Sequence, residues 1–174
     1  MNKKKRDAVI IILICNAILI SLLELVIPVP IPIPGVKLGL GNIITVIAIA
    51  FLDFKAVLLI VILKCLVVAV LSKGITMLPF SLAGGILSAL VMAVLYKKLS
   101  RFLSIKGISI AGAMAHNLAQ LTVASLILKE IVIMYYLPIL LISSIITGLI
   151  TGSISELTVR EVKRREIFSE VSDS

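Results

Sequence analysis

The sequence has no tryptophan, a single histidine, two cysteines and few charged residues, which make up 15% of its 174 positions. One histidine rules out a multi-histidine metal centre. Cys15 and Cys65 lie inside apolar runs with no C-x-x-C spacing, so they read as small hydrophobic residues and not as a disulfide or metal pair. Asp7, Asp53 and Asp173 are far apart. The chain therefore lacks a D-D-x-x-D metal motif, paired carboxylates at helical spacing and a P-loop. These absences argue against an enzyme, call for no cofactor, and leave the chain without a nucleotide site of its own.

What it has in abundance is apolar sequence: 60% of residues are hydrophobic and the mean hydropathy is +1.24. That places it among integral membrane proteins. A spanning helix takes about 20 apolar residues, and the apolar runs predict an all-α fold with six transmembrane helices. They lie at about Ala8 to Ile27, Val36 to Leu52, Ala56 to Leu71, Met77 to Leu95, Ile108 to Leu128 and Tyr135 to Ile154. The membrane domain spans residues 8–155, between a basic tail at 1–7 and a charged tail at 156–174. The first run is too long for a signal peptide and offers no small-residue cleavage site.

The net charge of +8 sits at the chain ends and in one internal loop, unlike the basic face interleaved with aromatics that binds nucleic acid. Of the 17 Lys and Arg residues, 13 fall on one side of a six-span layout. The positive-inside rule then places both termini in the cytoplasm. The tail with Arg160, Lys163, Arg164 and Arg165 reads mainly as a topology signal attracted to the lipid surface.

One stretch interrupts the apolar pattern. Pro28, Pro30, Pro32 and Pro34 forbid helix, and Gly35, Gly39 and Gly41 allow close backbone approach just before Asn42. Ionisable and strongly polar groups within spans mark functional candidates. Here they are Glu24, Lys64, His116, Asn117 and Gln120, with His116 and Gln120 sharing one helical face. Two readings stay open. The span-five residues act as interhelical glue, with Lys64 pairing to Glu24 or snorkelling. Alternatively, Lys37, Asn42, Lys64, His116 and Gln120 line one outward-facing pocket, where the positive end of the second span favours an anion. Small residues recur at four-residue spacing at Gly85, Ala89 and Ala93, at Ala111, Ala115 and Ala119, and at Ser144, Gly148 and Gly152. They form faces for helix packing or for a partner protein.

The strings PIPGVKLGLGNIITVIAIAFL, SLAGGILSALVMAVL and ISIAGAMAHNLAQLTVASLIL resemble the core motifs of the Gx transporter family, also labelled heptaprenyl diphosphate synthase component I. The resemblance covers about residues 8–155. It implies a six-helix bundle similar to the substrate-binding S components of energy-coupling factor (ECF) transporters in the bacterial cytoplasmic membrane. By position in the motifs it implies a small-molecule site at Lys37, Asn42, Lys64, His116, Asn117 and Gln120. The partners it implies are a membrane coupling protein with two ATPases, or, on the synthase label, a soluble prenyl diphosphate synthase.

Overall fold

The computed structural model describes residues 3–26, 39–72 and 74–165. The Pro-rich stretch, Lys37 and Lys73 lie outside the described residues, as does the end of the C-terminal tail. The fold is all-α, with no strand among the described residues. The helices are α1 (Lys3–Val26), α2 (Asn42–Phe51), α3 (Phe54–Leu71), α4 (Leu78–Leu99), α5 (Ile105–Leu128) and α6 (Leu137–Arg164). Single 3-10 segments at Ile75–Met77 and Ile131–Tyr136 lead into α4 and α6.

Five of these helical stretches are long and apolar enough to cross a bilayer. The chain is a membrane protein. The exception is α2: ten residues rise about 15 Å, half of a ~30 Å hydrocarbon core. The second span expected from Val36 is thus reduced, among the described residues, to a helix that starts only after a glycine turn. Gly39 holds φ +73°, a left-handed conformation that β-carbons resist, and Asn42 N–H donates to Gly39 O at 2.8 Å across the turn. At the other extreme, α6 runs ten residues beyond the expected Ile154, about 42 Å in all. Its last turns therefore extend past a membrane-thick slab.

Local chemistry sets the other boundaries. Pro79 and Pro138 each occupy the first turn of their helix, where no backbone donor is needed. Ser104 caps α5 by accepting from Gly107 N–H. Lys129 ends α5 in a left-handed conformation, φ 54°.

Two ion pairs tie the basic end of the bundle together. Arg6 reaches Asp53 at 2.7 Å, bringing the α2–α3 turn beside the start of α1, and Lys106 lies 3.9 Å from Glu156. Both pairs are partly solvated, so each contributes at most about 1 kcal/mol. Their value here is topological: the first ties the N-terminal basic cluster to the α2–α3 turn, and the second ties the start of α5 to the charged end of α6.

Between lipid-facing surfaces, helices associate through close packing and polar contacts more than through water exclusion. The α5–α6 seam follows this rule. A β-carbon at Gly148 would meet Ile110 Cα at 2.5 Å, and one at Gly152 would meet Lys106 Cα at 2.7 Å, so the two backbones touch where only glycine fits. Asn117 donates to Ser144 Oγ at 2.8 Å and to Leu140 O at 3.2 Å, and Ser109 and Thr151 hydroxyls join at 2.8 Å. On the other side, Met92 of α4 fills the space over Gly112 of α5. The small-residue faces are thus occupied within the protein: Gly85 packs on Val61 of α3, and Ser144, Gly148 and Gly152 are buried against α5.

Candidate functional site

The ends of α1, α2 and α4 remote from the basic clusters, together with the second half of α3 and the middle of α5, surround a cavity of about 60 Å³. A water needs roughly 10–15 Å³ measured this way, so the cavity holds about four waters or one small polar group. Asn42, Lys64, His116 and Gln120, all expected from sequence, line it. Asn117 does not. It points to α6, the neighbour one step round α5 from the His116 face, and is spent on the interhelical hydrogen bonds above. Lys37 lies outside the described residues.

Lys64 is the central group. It sits ten residues into α3, is only 7% exposed, and among the described residues makes no ion pair. A lysine at the centre of a membrane helix costs about 2.5–3.5 kcal/mol on insertion scales, so its position calls for a compensating anion or polar cage. Part of the cage is visible at Gly41. A β-carbon there would lie 3.1 Å from Lys64 Nζ and 2.6 Å from Ser21 Oγ. The missing side chain of Gly41 is therefore the space the ammonium tip and the Ser21 hydroxyl occupy. Lys64 thus points toward Gly41 and the cavity, and it does not make the ion pair with Glu24 weighed from sequence.

Glu24, also buried, lines the cavity and accepts a hydrogen bond from Gly39 N–H. The positive end of α2 thus already has a carboxylate beside it, supplied by α1. Asn42, 5% exposed, begins α2 at the cavity floor.

The far wall comes from α4 and α5. Gly84 makes room for His116 and Gln120, since a β-carbon there would meet His116 Cε1 at 2.8 Å and Gln120 Cγ at 2.9 Å. Cys65 joins the wall and donates its thiol to Ser81 O at 3.5 Å, the behaviour of a small helix residue. Sequence reading does not single out the lining residues Ser21, Ser72 and Ser81, or Gly84, which backs His116 and Gln120. A signal existed for Ser21: it stands three residues before Glu24, on the same face of α1.

The sequence matches the family of heptaprenyl diphosphate synthase component I over residues 13–158. That is most of the chain and all of the cavity-lining residues. The chain belongs to this family. The match runs from the middle of α1 into the last turns of α6, so α2, the cavity and the α5–α6 seam fall inside the family's shared region. Neither a curated protein nor a solved structure matches the chain.

Proposed function

We propose that the protein is an integral membrane substrate-binding subunit, similar to the S components of ECF transporters, that takes a small molecule bearing an anionic group and is energised by separate subunits. The observation that carries this reading is Lys64: a buried ammonium facing a cavity, with no ion-pair partner among the described residues. An anionic ligand group would complete it, with Asn42, His116 and Gln120 supplying hydrogen bonds that fix orientation. Bacterial inner-membrane location with both termini cytoplasmic fits the clustering of Arg6, Lys106 and the α6 tail at one end. The reading assigns no catalytic role to any residue.

The family description favours a second reading, a non-catalytic membrane component working with a prenyl diphosphate synthase. On this reading the isoprenoid tail lies in the bilayer and only a polar head enters the cavity beside Lys64.

Purification of the tagged protein from its native membranes in mild detergent, with mass spectrometry of copurifying proteins and small molecules, separates the two. A coupling protein and ATPases with a bound small anion support the first. A soluble prenyl synthase or a polyprenyl diphosphate overturns it in favour of the second.

A further inference from the structure

Helix α1 packs inward on α2 and α3, and its outward side carries one apolar stripe interrupted by a carboxamide. Ile12, Asn16, Leu19, Leu23 and Val26 follow one another at spacings of four, three, four and three residues. That is the a/d spacing of a two-stranded coiled coil, with Asn16 at an a position between Ile12 and Leu19. All five face outward: Ile12 and Leu19 are 59% exposed, Leu23 63% and Val26 80%, and Asn16 is also exposed. Buried Ala17, by contrast, marks the face turned to the bundle.

Asn16 is the anomaly. It lies ten residues from Arg6 at the basic end and eight from Glu24 at the cavity end, near the middle of the membrane-thick helix. Among the described residues, the other carboxamides are placed otherwise: Asn42 and Asn117 are buried, and Gln120 lines the cavity. Exposed hydroxyls such as Thr122 satisfy themselves on their own helix, here by donating to Leu118 O. Asn16 does so only in part, since Nδ2 donates to Ile12 O at 2.8 Å while its second N–H and its Oδ1 have no partner among the described residues. A carboxamide half-satisfied against lipid tails is costly, and a facing helix removes the cost.

We infer that α1 is a homodimer interface, in which two copies pack their Ile12–Asn16–Leu19–Leu23–Val26 seams in parallel about an axis normal to the membrane. The occupant is a second copy because the carboxamide is self-complementary: across a two-fold axis each Asn16 gives its spare N–H to the other's Oδ1. Two copies inserted with the same topology necessarily present parallel α1 helices, the arrangement the a/d spacing requires. The other outward apolar faces, such as Ile142, Ile146 and Leu149 of α6, lack a carboxamide to set register.

Cysteine crosslinking in native membranes tests the inference on the full chain. In a Cys15→Ser background, Leu19→Cys places thiols at a d position within disulfide reach of the second copy. Ile11→Cys, 60% exposed but off the seam, is the control. With a bilayer-soluble oxidant, Leu19→Cys forms a disulfide dimer and Ile11→Cys stays monomeric. Asn16→Leu, which within the protomer gives up the bond to Ile12 O on its own helix and keeps the seam apolar, weakens the dimer by about 3- to 30-fold in a fluorescence energy-transfer titration. Equal crosslinking of the two cysteine variants, no crosslinking of Leu19→Cys, its capture chiefly by a different protein, or an unchanged dimer in Asn16→Leu each overturn the proposal.

Discussion

The α5–α6 seam and the cavity at the end of α2 are built from the same residue types and do opposite things. Each has glycines at its closest approach and an asparagine at its centre. At the seam, the space left by Gly148 is filled by the backbone of Ile110, and Asn117 finds both its acceptors on the facing helix. At the cavity, the space left by Gly41 is filled by the flexible tips of Ser21 and Lys64, and the polar groups converge on a void. A polar residue in a membrane helix is glue when a rigid neighbour lies directly opposite. It becomes a candidate site when the neighbour is another polar tip.

The contrast implies that glycine and asparagine substitutions diverge between the two regions. Gly148→Ala puts a β-carbon against backbone that cannot move alone, so α5 and α6 separate and stability falls by about 1–3 kcal/mol. Thermal unfolding in detergent reads this as the largest shift of the set. Asn117→Leu loses the two interhelical hydrogen bonds and costs about 0.6–2 kcal/mol, yet copurified ligand remains bound to the folded variant. Loss of ligand at full stability would instead move Asn117 into the site.

Gly41→Ala has the reverse signature. Its β-carbon meets only side-chain tips, which rotate away at a cost of about 0.5–1.5 kcal/mol, and ligand retention falls because the ammonium is displaced. The smallest effect belongs to Arg6→Ala, which removes a half-exposed ion pair worth at most about 1 kcal/mol and leaves the cavity unchanged. Its unfolding midpoint should shift least.

Much of this was legible in the sequence, for reasons that differ by residue. Helix existence follows from apolar run length, and the first-turn prolines Pro79 and Pro138 fall where a missing donor is harmless. His116 and Gln120 can be placed together from sequence because four residues return a helix to the same face. Asn117 groups with them in sequence, which shows which residues adjoin on a helix but not which neighbour each one meets, and about 100° of rotation separates its direction from that of His116. The shortness of α2 depends on a left-handed turn at Gly39. A glycine in sequence permits that turn without requiring it. The match of Gly41, in the turn that caps α2, to Lys64 of α3 links residues 23 positions apart, and only the packed structure reveals it.

The central claim is that Lys64 is held in the cavity as the counter-ion of a ligand's anionic group. Native mass spectrometry of the wild-type protein and a Lys64→Gln variant, both purified from native membranes, tests it most directly. The account predicts an anionic small molecule on the wild-type protein that is missing from an equally folded variant. The same bound species on both proteins, or none on the wild type, would contradict it.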